Sequence, residues 1–246
     1  MIHYHGTPIT PERSATKFID GRHMFFSYAT VIPSQLEFAA EFASSLALDN
    51  GAFSNWRNGK SIHDYIDDLY LWYSEWLPYP NCDWVLIPDV IDGLESDNDK
   101  LLAEWPFCRS QGVPIWHLHE SLYRLEKLAC EWPRIALGSS GEYGTIGTDR
   151  WWQRVADAFH RICIDGQPIT KVHGLRMLNP DIFTRFPFAS ADSCNVALHH
   201  SDSTRIYQSK DHKMNGLIML HNIEKQQSAT RLKGIPKQQG LFGELT

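Results

Sequence analysis

Long apolar runs are missing from this chain. Its 246 residues contain no stretch of about 18 apolar residues, which excludes a helix that spans a membrane. The start, Met1 to Thr10, is polar and lacks the basic and apolar blocks of a signal peptide. CxxC pairs are missing too. The five cysteines (Cys82, Cys108, Cys130, Cys163, Cys194) are scattered and odd in number, so they read as reduced thiols in a cytoplasmic protein, mostly packing residues. There is no internal repeat, low-complexity tract or linker. Net positive charge is absent: the formal charge is −6, which argues against strong nonspecific nucleic-acid binding by the whole surface.

A hydrophobic fraction of 43% is enough to build one sizeable core at this length. Short β-rich runs alternate with longer amphipathic segments, the signature of α/β architecture. Eight runs read as strands: Ile2–His5, Met24–Tyr28, Leu46–Asp49, Trp84–Pro88, Pro114–Leu118, Arg134–Gly138, Lys171–Leu175 and Phe188–Ala191. Helix starts are expected after Ser61, at Ser96-Asp97, at Thr148-Asp149 and at Asn179-Pro180. Eight βα units at this length predict a single-domain (β/α)8 TIM barrel over residues 1–224, followed by a C-terminal tail, 225–246. A doubly wound open sheet is the structural alternative.

In such barrels the reactive groups sit where strands end and the following loops begin. The expected strand ends carry His5, Tyr28, Asp49, Asp89, His117 with His119, the Gly138–Gly141 turn, His173 with Arg176, and Asp192. Of His117 and His119, near the end of one strand, His119 is the preferred candidate to face a pocket. Phe53, Tyr28 and Trp116 are candidates to stack on a flat ligand, against the plainer reading of buried core aromatics. Basic residues collect late in the chain. Residues 205–237 hold seven Lys and Arg against two acidic residues.

Four segments in order carry a resemblance to the guanine transglycosylases related to tRNA-guanine transglycosylase: LDNGAF (residues 48–53), IPDV (87–90), ALGSSGE (136–142) and GLRMLNPDIFTRFPFASADS (174–193), with weaker matches at STRIY and LHN. The resemblance implies a glycosyltransferase that exchanges guanine in a nucleic acid for a 7-deazaguanine base. Asp192 would be the nucleophile that forms a covalent aspartyl-glycosyl intermediate, and Asp49 the base-binding acid/base. Asp89 would read the guanine edge. Gly138, Ser139, Ser140 and Gly141 would offer backbone N–H groups, with His119 and Phe53 also against the base. A carboxylate beside the sugar carbon suits an oxocarbenium-like transition state. The abbreviated region after Asp192 points to the phage and bacterial DNA-modifying branch, with DNA preferred over tRNA and a partner subunit possible. Arg205, Lys210, Lys213, Arg231 and Lys233 would follow the phosphate backbone. No cofactor is expected. His221 matches the family's zinc histidine, but its cysteine partners are missing, and His199, His200 and His212 form at most a substitute cluster.

Two other readings compete. A metal-dependent, amidohydrolase-like barrel would use His3, His5, His117 and Asp192, since an HxH pair at a strand end is a metal-ligand pattern. A non-catalytic nucleic-acid-binding protein on a decayed barrel is the second.

Overall fold

The computed structural model of the chain describes residues 1–199 and 212–233. Eleven strands are found there: β1 (Ile2–Gly6), β2 (His23–Ser27), β3 (Ser45–Asp49), β4 (Cys82–Leu86), β5 (Gly112–Val113), β6 (Ile115–His117), β7 (Arg134–Gly138), β8 (Cys163–Ile164), β9 (Gln167–Pro168), β10 (Lys171–Gly174) and β11 (Ser190–Ser193). Helices α1 (Ala15–Ile19), α2 (Pro33–Phe42), α3 (Ala52–Arg57), α4 (Ile66–Trp76), α5 (Glu95–Ala103), α6 (Leu122–Glu131), α7 (Asp149–Ile162), α8 (Pro180–Phe183), α9 (Asn195–His199) and α10 (His212–Glu224) lie between or after them.

Nine parallel segments form one sheet in the order β5-β4-β3-β2-β1-β11-β10-β7-β6. Its two ends, β5 and β6, flank Pro114. Proline has no N–H to give, so the strand breaks there. Val113 stays in register with Leu86 of β4, while Ile115 pairs with Ala136 of β7. Pro114 still accepts the Ala136 N–H through its carbonyl, at 2.9 Å. The ring therefore closes through one interrupted strand, and the fold is the expected (β/α)8 barrel in a single domain. β8 and β9 form a separate antiparallel hairpin.

Side chains alternate across each strand, and this decides which of them reach the barrel interior. In β3, Leu46 and Leu48 belong to the core between sheet and helices, while Ala47 belongs to the interior cluster of Tyr4, Phe25, Trp84, Leu86, Val113, Ile115 and Ala136. Asp49 shares the parity of Ala47. His117 shares that of Ile115. Asp192 alternates with Ala191, which packs outward. The same rule turns His3 and His5 away from the interior that Tyr4 occupies.

The expected strands recur with small shifts. The last one begins at Ser190 rather than Phe188. Phe188 instead packs edge-on against Phe159 with centroids 5.0 Å apart, and Asp192 falls inside the strand. Thr148 and Asn179 cap helices as expected, accepting N–H groups from Trp151 and Asp181. Ser61 caps only a 3-10 turn at Ile62–Asp64, and α4 starts at Ile66. Helix α5 begins at Glu95, ahead of Ser96-Asp97, because Asp97 Oδ2 reaches back to Leu94 N at 3.1 Å. Helices α2 and α6 were not anticipated, although Pro33 opens the first and Ser121 caps the second.

Residues after α10 return to the end of the barrel where strands begin. Ser228 Oγ donates to Phe188 O at 2.8 Å, and Leu232 N donates to Gly166 O at 2.8 Å. Among the described residues no helix is long and apolar enough to cross a membrane.

Candidate active site

At the end of the barrel where the strands finish lies a cavity of about 920 Å³. Asp49, Asp89, His117, Gly138, Ser139, Ser140, Arg176 and Asp192 line it, together with Phe53 and Asn50. The chain makes two tight passages to build this mouth. Gly51 has φ +73°, and a Cβ there would lie 2.8 Å from Ala29 N, so only glycine lets the loop after β3 pass the loop after β2. Arg176 also lies in the left-handed region, at φ +60°, without being glycine. Three contacts hold it there. Its N–H donates to Asp192 Oδ1 at 2.9 Å, its guanidinium donates to Ser139 O at 2.7 Å, and the guanidinium carbon sits 4.6 Å from the Phe53 ring centre.

One wall of the cavity is a polar network. Asn50 is buried. It donates through Nδ2 to Ile87 O at 2.9 Å and to Asp89 Oδ1 at 2.7 Å, and accepts Ala52 N–H at 2.8 Å. Asp89 Oδ2 lies 2.8 Å from His117 Nε2, and His117 Nδ1 lies 3.2 Å from Ser140 Oγ. Ser140 Oγ also lies 3.0 Å from His119 Nδ1. Behind His117, the buried Glu120 accepts the His117 N–H at 2.9 Å, the Asn98 amide at 3.0 Å and Arg124 Nη1 at 2.7 Å. Every oxygen of that wall is thus held by a donor, which is how buried carboxylates persist.

Two further carboxylates, Asp49 and Asp192, line the same cavity. Asp192 accepts from His173 Nε2 at 3.2 Å and from Arg176 N. Asp49 is pushed up to about 7 by burial, with Asp192 and Asp89 adding to the rise and the Ser27 hydroxyl and Gly51 N–H opposing it. His173 is wholly buried, and burial pulls it below the ordinary imidazole value against the pull of Asp192. Two aspartates in unlike surroundings are the arrangement by which acid and base roles are divided.

The mouth brings together Asp49, Asp89, Asp192, Phe53 and the Gly138–Ser140 segment, while Gly141, at φ +54°, leads into the short 3-10 turn that follows. His117, rather than His119, lines the cavity; His119 reaches the wall through Ser140. Trp116 packs in the outer core, and Tyr28 stacks on Tyr65 with centroids 5.6 Å apart. Arg205 and Lys210 lie outside the described residues, and Lys213 lies near the start of α10. Arg231 and Lys233 flank Leu232, at the end of the barrel opposite the mouth. His200 is not described. His199 ends α9, while His212 and His221 lie in α10. The amidohydrolase-like metal site does not assemble. His3 bonds Gln226 O and His5 bonds Glu224, both on the outer side of β1 and away from His117 and Asp192. Among the described residues no three His, Cys, Asp or Glu side chains converge as a metal site would require. The expectation of mostly packed cysteines also needs correcting: Cys108, Cys130 and Cys194 are exposed, and Cys163 alone is fully buried.

Asn50, Arg176, His173 and Ser190 were not assigned roles from sequence. Asn50 stands next to Asp49 in the motif, and His173 and Arg176 stand at an expected strand end; those positions are the available signals.

No family model matches the chain, and no curated protein matches it. Solved structures do. A mutant tryptophan synthase α-subunit from the hyperthermophile Pyrococcus furiosus aligns over 91% of this chain and 95% of its own, at 10% identity and a TM-score of 0.50. A protein from Aquifex aeolicus VF5 aligns over 92% and 90%, at 12% identity and a TM-score of 0.47. The likeness is one of fold alone. It overturns the expected family. No family model supports it, and the structural neighbour at a TM-score of 0.50 is a tryptophan synthase α-subunit and not a guanine transglycosylase, so the assignment to that family, the base exchange on DNA or tRNA and the glycosyltransferase class are withdrawn. The four motifs misled because short polar strings at strand ends recur in (β/α)8 barrels whatever their chemistry.

Proposed function

We propose that this barrel is an acid–base enzyme acting on a small polar molecule. Asp49 gives a proton to the departing or rearranging group, and the Asp192 carboxylate stabilises the positive charge that develops, or takes up the proton released. The observation that carries this reading is the pair itself: an aspartate pushed up to about 7 beside a second carboxylate that two N–H groups hold, both in one cavity. The rest of the cavity suits a compact ligand with hydrogen-bonding edges and a flat face. Phe53, braced by Arg176, offers an apolar surface, and the Asn50–Asp89–His117–Ser140 wall offers polar groups.

A titration of Asp carboxyl carbons by 13C NMR tests the acid. Asp49 is expected to titrate near 7 in the wild type, and lower in Asp192→Asn, which removes the neighbouring charge. Activity is sought by incubating the protein in D2O with pooled polar metabolites and following new or deuterated species by NMR. Turnover that survives both Asp49→Asn and Asp192→Asn would remove the pair from the chemistry. An Asp49 that titrates near 4 would end the reading outright.

A further inference from the structure

Below the site, a chain of polar groups threads the apolar interior of the barrel. Arg134 Nη1 donates to Ser190 Oγ at 3.0 Å. Ser190 Oγ lies 2.9 Å from His173 Nδ1, and His173 Nε2 lies 3.2 Å from Asp192 Oδ1. Ser190 and His173 are fully buried. The imidazole is surrounded by Trp84, Phe25 and Tyr4, with ring centres 4.8, 5.6 and 6.0 Å away. The charged or titratable groups facing it are Asp192, Arg134 and Tyr4, whose hydroxyl is engaged by Asp83. A packed barrel interior ordinarily holds branched apolar side chains in such layers, so an imidazole there calls for a reason.

The directions follow from the two ends of the chain. A guanidinium only donates, so Ser190 Oγ accepts from Arg134, and a carboxylate only accepts, so the ring proton sits on Nε2 and points at Asp192 Oδ1. In the neutral ring Nδ1 is then bare and takes the Ser190 hydroxyl hydrogen. The Arg176 N–H donates to that same oxygen at 2.9 Å. Among the described residues Asp192 Oδ2 has no hydrogen-bond partner, which leaves it for the cavity that Asp192 lines.

We propose that His173 is a positioning residue, held as its Nε2–H tautomer between Asp192 and a Ser190 hydroxyl that Arg134 orients, which pins Asp192 by Oδ1 and presents Oδ2 to the substrate. This deepens the acid–base reading and rests on it for the part Asp192 plays. The lock also bears on Asp49. Two N–H groups on Asp192 favour its ionised form, and the charge of Asp192 adds to the rise at Asp49.

The test uses the full chain and needs no substrate. Ring 15N shifts of His173 read the tautomer directly. The expected result is a proton on Nε2 and a bare Nδ1 throughout the neutral range, and a proton found on Nδ1 overturns the proposal. Ser190→Ala removes the relay without enlarging a side chain. It should free the tautomer and lower the Asp49 midpoint by about one pH unit, a tenfold change in proton affinity. His173→Gln, which keeps a donor, should leave that midpoint near the wild-type value. A His173 that only fills space predicts no movement of Asp49 in Ser190→Ala, and that result also overturns the proposal. A wild-type Asp49 that titrates near 4 counts against the acid–base reading and not against the lock, which the ring nitrogens report independently.

Discussion

His117 Nε2 lies 2.8 Å from Asp89 Oδ2, and both side chains are almost closed to solvent. The pair ties the loop after β4 to the end of β6, and Asn50 adds the loop after β3 through its 2.7 Å bond to Asp89 Oδ1. Three neighbouring strand ends are thus joined by one carboxylate. Asp89→Ala leaves the Asn50 amide and a His117 ring nitrogen without their acceptor inside the protein. It should cost about 2–4 kcal/mol, at and above the range for hydrogen bonds to a charged group, because two donors are stranded together. Asp89→Asn, which keeps the shape and one acceptor oxygen, should cost less. Chemical denaturation of the two variants checks the order, and equal losses would show that the network contributes little beyond packing.

Asp49 makes stability depend on pH with a defined sign. Its folded value is raised from 3.8 to about 7. Between roughly pH 4 and 7 the folded state binds a proton that the unfolded chain has released. The stabilisation from that proton is complete below about pH 4 and is lost as pH rises through 7. Asp49→Asn removes the dependence. The variant should gain about 1–3 kcal/mol over wild type at pH 8, discounted from 1.36 kcal/mol per unit because the carboxyl is open to the cavity, and should show little gain at pH 4. Denaturant midpoints of both proteins across that range decide it. A difference that does not change with pH would mean that Asp49 titrates normally.

Much of this fold is written in alternating side chains. Leu46 and Leu48 against Ala47 and Asp49 announce a strand with one face on the helices and an acid at its inner end, and the structure keeps that parity. The same parity assigns His117 inward, because it falls in step with Ile115 two residues earlier. Helices α2 and α6 were less legible. Pro33 and Ser121 are ordinary residues until the segments behind them are known to pack. The polar chain below Asp192 could not be read at all. Arg134, His173 and Ser190 lie on three strands, 17 to 56 residues apart in sequence, and meet only when the ring closes. Family chemistry was the least legible part. Short motifs around Asp49, Asp89 and Asp192 located a mouth, and the comparisons did not support the activity they suggested.

Arg176 tests how the mouth holds a strained residue. Its φ of +60° suits glycine, while its side chain makes contacts that glycine cannot make. Arg176→Ala loses the contacts and keeps the strain, whereas Arg176→Gly loses the contacts and relieves the strain. The glycine variant should therefore be the more stable of the two by about 0.5–1 kcal/mol, the reverse of the usual order at an ordinary backbone position. Thermal or denaturant unfolding measures the difference. An alanine variant as stable as the glycine variant would show that the loop relaxes out of the left-handed region.

Glu120 supports the site from behind, and its removal should be costly for a reason that can be isolated. Its carboxylate takes the His117 N–H, the Asn98 amide and the Arg124 guanidinium, and Glu120 and Arg124 are both buried. Glu120→Ala leaves a buried cation with only the partly exposed Asp99 and the Ile115 carbonyl as partners. A stranded buried charge costs about 3–5 kcal/mol. Removing the cation as well changes the balance. Glu120→Leu with Arg124→Leu leaves no buried charge, though the His117 N–H and the Asn98 amide still lose their acceptor. The double variant should therefore recover part of the loss of Glu120→Ala, about 1–3 kcal/mol, and retain the rest. Unfolding free energies of Glu120→Leu, Arg124→Leu and the double variant close the cycle, with Glu120→Ala as the reference for the stranded cation. A double variant less stable than Glu120→Ala would mean that the ion pair itself, and not the stranded charge, holds α6 against the end of β6.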